Sequence, residues 1–377
     1  MNKFKGSPRR DILRGLPTGI GSLPYTNKDF ACQKILQYFP QVPHWPQLPK
    51  LNFCENMYVQ FSEGFPGIII EEKNQRIYLD SALFQEGLEK FYENFLNKNL
   101  DFFQISEKYA SGFHHFCRFL SSHTNSPIHQ LTNSLSPLAV KGQITGPLTM
   151  GLAIKDENDR SIFYDEQIRD ALVKFLQMKA LWQISQLSTI NYQLSTILFI
   201  DEPYLAAYGS AYTAVSREEI ISSLQEVISG IKNFFVTNSP IHQSANPLLL
   251  GVHCCANTDW SIVLETGIDV LSFDAYNFFD SLILYRDKLK DFLERGGILS
   301  WGIVPTDEKV FEETSERLKN KFLDFVDQLV KTGISEKKLF TNFLITPSCG
   351  LGTKSEKITE NALTLTSELS KILQEAV

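Results

Sequence analysis

Short apolar runs alternate with longer amphipathic stretches along almost the whole chain, and this rhythm limits the fold more than any other feature. Strand-like runs fall near residues 17–22, 43–46, 138–145, 196–201, 247–253, 269–274, 297–303 and 340–347. Helical patterns over 81–97, 102–122, 165–188, 216–235, 285–295, 308–331 and 355–374 fill the intervals. Parallel strands need long crossovers, and a helix is the usual one. About eight strands alternating with helices predict an α/β protein of the (β/α)8 TIM barrel type. The second run is the weakest strand, because Pro43, Pro46 and Pro49 crowd it and proline cannot donate to a ladder. Residues 64–80 break the rhythm. There Ile68-Ile69-Ile70 and Ile77-Tyr78-Leu79 flank a polar turn, which predicts an excursion hairpin. An open doubly wound sheet is the alternative, but no Gly-x-Gly-x-x-Gly fingerprint follows any strand.

A chain of 377 residues can bury one large core, so residues 1–377 read as a single barrel domain with an N-terminal arm over 1–16. The arm carries a basic cluster from Lys3 to Arg14, yet the whole chain has a net charge of -7. That balance argues against a general nucleic-acid binder, which needs a basic footprint. No apolar run reaches the length of a membrane span. The first residues lack the apolar segment of a signal peptide. Six cysteines without such a signal point to a reducing, cytoplasmic setting. Cys32, Cys54 and Cys117 read as packing residues.

In a barrel of this kind the working groups gather at the C-terminal ends of the strands. The fifth run ends in His253-Cys254-Cys255, and Cys349 follows the eighth. Side chains alternate along a strand, so His253 and Cys255 share a face and Cys254 takes the other. Imidazole and thiolate ligands suit zinc. The competing reading makes Cys255 and Cys349 small buried hydrophobes and His253 a hydrogen-bonded core residue. Other strand ends carry Ile20-Gly21-Ser22, Gln143-Ile144-Thr145-Gly146-Pro147, Asp201-Glu202-Pro203 and Asp274. The pair His114-His115 sits in a helical pattern without partners in sight and is set aside as ligand.

Taken together, these strand ends resemble the catalytic C-terminal barrel of cobalamin-independent methionine synthase, within the methionine synthase and uroporphyrinogen decarboxylase-like superfamily. Val140-Lys141-Gly142-Gln143-Ile144-Thr145-Gly146-Pro147 is similar to its V-K-G-x-x-T-G-P stretch. Ile200-Asp201-Glu202-Pro203 is similar to its I-D-E-P stretch, and Ile20-Gly21-Ser22 to its I-G-S stretch. His253-x-Cys255 and Cys349-Gly350-Leu351-x-Thr353 resemble its zinc-ligand motifs. The resemblance implies zinc on His253, Cys255 and Cys349. Asp274 stands where the family has a glutamate as fourth ligand. Asp201 then holds a substrate amino group, while Ile20, Gly21 and Ser22 contact its carboxylate. Glu55 is the nearest match to the glutamate that completes the pocket.

The resemblance therefore implies a zinc-dependent methyltransferase that converts homocysteine to methionine. Two departures concern the methyl donor. The chain has only the counterpart of the family's C-terminal barrel, and the stretch from Trp301 to Thr306 lacks the family's proton-transfer histidine. Both point to a methylated corrinoid, presented by a separate corrinoid-carrying protein, rather than to a folate. The other readings are methyl transfer to another thiol such as coenzyme M, a uroporphyrinogen decarboxylase-like lyase, and a barrel with a purely structural zinc.

Overall fold

The computed structural model describes residues 13–124, 136–190, 194–211, 213–238, 247–341 and 343–376. The strands are β1 (Leu16–Pro17), β2 (Ile68–Glu71), β3 (Arg76–Leu79), β4 (Ala139–Thr145), β5 (Ser195–Asp201), β6 (Leu248–Cys254), β7 (Val270–Phe273), β8 (Ile298–Val304) and β9 (Phe343–Pro347). Seven form one sheet in the order β1-β9-β8-β7-β6-β5-β4, and every pair in it is parallel. Helices cover its outer face, packing on Leu198, Ile200, Val252, Leu271 and Leu299.

The other face of the same strands curls inward. Ala139, Ile197, Leu249, Val270, Ile298 and Leu344 form an apolar floor there with Leu13, Leu16 and Val42. Period-two alternation then dictates what stands above the floor. On β4 these are Lys141, Gln143 and Thr145; on β5, Phe199 and Asp201; on β6, Gly251 and His253; on β7, Ser272. The inner face thus changes from apolar to polar toward the strands' C-terminal ends. Leu13 and Leu16 belong to this floor, so the end of the expected N-terminal arm is core. Residues 1–12 lie outside the described residues.

The strand expected at 43–46 is not a regular strand. The segment makes isolated parallel bridges instead, His44 with Lys141 on β4 and Gln47 with Ser22 just beyond β1. It therefore touches both edges of the seven-stranded sheet. Pro43 and Pro46 interrupt it, because a residue without N–H cannot propagate a ladder. A side chain covers part of the gap. Gln183, on the helix Glu166–Ile190, accepts from Gln143 N at 3.1 Å and donates to Gln143 O at 2.9 Å. It also accepts from Trp45 Nε1 at 3.0 Å, which fixes the irregular segment to the same helix.

The excursion hairpin is present as β2 and β3, antiparallel from Ile68↔Leu79 to Glu71↔Arg76. Several helices went unpredicted, among them two that pack near the strand ends or the sheet edge. Lys28–Tyr38 starts at Asn27, whose side chain accepts from Phe30 N, and Pro147–Ala153 starts with proline in its first turn. The stretch expected as one helix over 285–295 is preceded by a separate helix, Ala275–Ile283. No helix among the described residues is long and apolar enough to cross a membrane.

Candidate metal centre

β5, β6 and β7 stand in register so that Asp201, His253 and Ser272 are cross-strand neighbours. All three point inward at the top of the polar layer. His253 is buried, and its Nδ1 lies 3.0 Å from Ser272 Oγ. Its Nε2 is buried with no hydrogen-bond partner. Cys255 follows β6 on the same face, and Cys349 follows β9. The ligand atoms of His253, Cys255 and Cys349 all lie within 4.8 Å of one another.

One nitrogen and two sulfurs are a soft donor set that favours zinc over magnesium or calcium. The orphaned Nε2 fits this: an unpaired buried imidazole nitrogen is costly, and a cation would satisfy it. The two thiols behave as one proton-sharing pair. A hydrogen bond from Cys255 lowers the Cys349 pKa to about 4, against the opposing effect of burial and with help from His253. The same bond raises Cys255. The two sulfurs are thus close enough to share a proton, and both would be thiolates on a bound metal.

Asp274 does not join the three. It caps the helix Ala275–Ile283, accepting from Asn277 N at 2.9 Å on Oδ1 and from Asn277 Nδ2 at 2.8 Å on Oδ2. Burial raises its pKa above the usual carboxylate value.

The three ligand residues line a cavity of about 300 Å³, and Ile20, Ser22, Glu55 and Asp201 line it with them. Asp201 is 7% exposed, and its Oδ1 has no hydrogen-bond partner. Burial raises its pKa to about 6, against the lowering effects of His253 and Lys141. Ser22 Oγ accepts from Gly352 N at 3.1 Å, which ties it to the loop after Cys349. Glu55 is buried. Its Oε1 accepts from Ser111 N at 2.8 Å and from Ser111 Oγ at 2.5 Å, and its Oε2 accepts from Gln60 Nε2 at 3.1 Å. Gly21 sits behind the wall. With φ at +154°, a Cβ there would approach Gln143 Cδ to 2.7 Å, so only glycine fits.

Sequence reasoning missed several neighbours. Gln47 and Tyr58 also line the cavity. Glu202 faces away from it and is fully buried. It accepts from Leu148 N at 2.9 Å, Thr149 N at 2.7 Å and Thr149 Oγ1 at 2.6 Å, at the start of the helix Pro147–Ala153. Lys141 is fully buried within the curl. Its parity with Gln143 and Thr145 was the available signal. His114 and His115 stay apart from the centre: His114 Nε2 lies 2.6 Å from Ile105 O, and His115 Nε2 lies 3.0 Å from Asp29 Oδ1. A larger depression, about 610 Å³, is lined by Glu86, Lys90 and Glu93 on the helix Ser81–Leu96, apart from the strand ends.

No family model matches the chain, and no curated protein matches it. Among solved structures, the chain is similar to the B12-independent methionine synthase from Shewanella sp. W3-18-1 in complex with selenomethionine. The TM-score is 0.43 at 18% identity, over 69% of this chain and 67% of that one. It is also similar to a glycoside hydrolase family 5 enzyme from Prevotella bryantii B14 in complex with a xyloglucan tetradecasaccharide. There the TM-score is 0.26 at 10% identity, over 68% of this chain and 85% of that one. Overlaps of this extent carry no functional inference.

Proposed function

We propose that this protein is a zinc-dependent S-methyltransferase that converts homocysteine to methionine, taking the methyl group from a methylated corrinoid. In this reading residues 1–377 act as one catalytic (β/α)8 barrel, with the irregular segment expected as a strand at 43–46 as its eighth stave. One observation carries the proposal. The His253, Cys255 and Cys349 ligand atoms gather within 4.8 Å on a cavity that also holds an unpaired, buried carboxylate oxygen of Asp201.

Zinc held by His253, Cys255 and Cys349 would keep a substrate thiol deprotonated at neutral pH, the form that attacks a methyl group. Three protein ligands leave the fourth position for that thiol, and Asp274 stays on Asn277. Asp201 receives the substrate ammonium, which gives its orphaned oxygen a charged partner. Ser22 already accepts from Gly352, so its own O–H is left to donate to the substrate carboxylate. Glu55 holds Ser111 and Gln60 and so stiffens the wall opposite. Fixing both ends of the amino-acid head aims the sulfur at the donor.

The cavity volume lies at the low end for small-molecule sites, which suits a small amino acid and leaves a corrinoid at the mouth. A separate protein would present it there. Coenzyme M has no amine for Asp201. A tetrapyrrole decarboxylase favours an anion cleft rich in arginine, and no arginine is among the described residues that line this cavity.

X-ray absorption at the zinc edge, with and without L-homocysteine, tests the proposal. The expected result is one nitrogen and two sulfur ligands at rest and a third sulfur on adding substrate. A set of four protein ligands that ignores the added thiol would overturn it in favour of a structural zinc.

A further inference from the structure

We propose that Lys141 is a positioning residue that sets the distance between the two anchors of the substrate's amino-acid head, by tying the Ile20–Ser22 segment to the strand beside Asp201. This rests on the reading of the cavity as an amino-acid site.

β1 and β4 are the two edges of the seven-stranded sheet and share no ladder. Ile20 and Ser22, just beyond β1, form one side of the cavity. Asp201 lies on β5, the neighbour of β4, opposite Thr145 in register. Any slip between the two edges would therefore change the separation of Ser22 and Asp201. Lys141 spans that seam. From β4, its Nζ donates to Ile20 O at 2.6 Å and to Gln143 Oε1 at 3.3 Å. Gln143 Nε2 in turn donates to Trp45 O at 3.2 Å in the irregular segment. A single side-chain nitrogen thus joins both sheet edges, with the chain between them held through Gln143.

Packing alone is a poor account of this lysine. It is fully buried, and its Nζ lies 4.4 Å from the centre of the Phe199 ring. Burying an ammonium carries a desolvation penalty that a methionine of similar shape would avoid. The direct tether reaches the carbonyl of Ile20, a residue that lines the cavity just beyond β1. Gln47 braces the same turn from the side, donating from its N to Gly21 O at 3.1 Å and accepting from Leu23 N at 2.9 Å. Beside these backbone bridges, the Lys141 side chain adds a direct tie from β4 to the Ile20–Ser22 segment.

A thiol without an amino-acid head does not use this spacing, so two acceptors separate the role from folding. The zinc-loaded full chain is assayed with methylcobalamin and either L-homocysteine or 2-mercaptoethanol, as wild type, Lys141→Met and Lys141→Gln. In Lys141→Met the KM for homocysteine is expected to rise about tenfold, with kcat, zinc content and 2-mercaptoethanol turnover within about twofold of wild type. Lys141→Gln, which keeps a donor on a shorter arm, is expected to fall between. Calorimetric binding of homocysteine should follow the same order. Unchanged homocysteine KM in Lys141→Met would overturn the proposal. Parallel loss of both acceptors in both variants would overturn it too, by assigning Lys141 to folding. A wild type that methylates neither thiol would refute the functional reading itself, and this inference with it.

Discussion

His253 Nδ1 lies 3.0 Å from Ser272 Oγ, and the opposite ring nitrogen is buried with no partner of its own. With Nδ1–H donating to Ser272, the Nε2 lone pair is left for a metal. Ser272 reaches this place because β7 runs in register with β6. Replacing it by alanine should keep the fold and loosen the ring. Zinc affinity in Ser272→Ala is expected to fall about tenfold, the lower end for loss of such a supporting bond. Competition with a chromophoric chelator measures it. Affinity equal to wild type would show that packing alone orients the ring.

Two carboxylates at the strand ends on either side of β6 should behave oppositely. Asp274 spends both oxygens on Asn277, so Asp274→Ala is expected to retain a full complement of zinc while losing some helix-cap stability, about 1 kcal/mol. Asp201 has the orphaned oxygen, so Asp201→Asn should bind homocysteine more weakly by about 1.5–3 kcal/mol, the worth of a charge-assisted hydrogen bond. Metal analysis and calorimetry on the two variants separate the roles. Zinc lost from Asp274→Ala would make that residue a ligand after all.

How much of this was legible in the sequence depended on whether the signal was local. His253 and Cys255 were legible because strand parity needs only one run of residues. The polar upper layer follows from the same parity on the other strands. Asp274 was not resolved, since an aspartate at a strand end reads equally as ligand and as cap. Its cap partner, Asn277 three residues on, settles the hydrogen bonding only once the helix is seen to start there. The segment at 43–46 departs from a ladder because of its prolines, which the sequence displays. That Gln183 stands in for missing ladder bonds is a contact across 40 residues of sequence, and no local pattern announces it. Glu202 is similar: its partners lie on a helix after β4, and strand parity alone could say only that it faces away from Asp201.

Glu202 makes stability depend on pH in a definite direction. Burial raises its pKa from 4.5 to about 7, against the lowering effect of its three hydrogen bonds to Leu148 and Thr149. Between those values the folded protein holds a proton that the unfolded chain has released. The contribution is therefore full below pH 4.5 and is lost as pH rises through about 7. Glu202→Gln removes the titration. Thermal melts at pH 5 and pH 8 should show a larger fall in Tm for the wild type than for this variant. Equal falls in the two proteins would mean that Glu202 is ionised across the range.

The methyl donor has the widest chemical consequence. A folate amine is a poor leaving group and must gain a proton as the methyl departs, so it calls for a positioned acid. The stretch from Trp301 to Thr306 has no histidine to serve as one. The end of β8 offers instead Thr306 Oγ1, 3.3 Å from Ser348 Oγ, and neither hydroxyl is an acid at neutral pH. A methylcorrinoid needs no such group. Its methyl–cobalt bond breaks with both electrons left on cobalt, and the reduced centre departs without a proton while the new carbon–sulfur bond forms. Purified protein given homocysteine should therefore make methionine faster from methylcobalamin than from methyltetrahydrofolate. The preference should persist at pH 8, where a proton-dependent folate reaction would slow further. Faster turnover with the folate would place an acid at the mouth that this reading omits, with Asp307, beside Thr306, the first residue to replace.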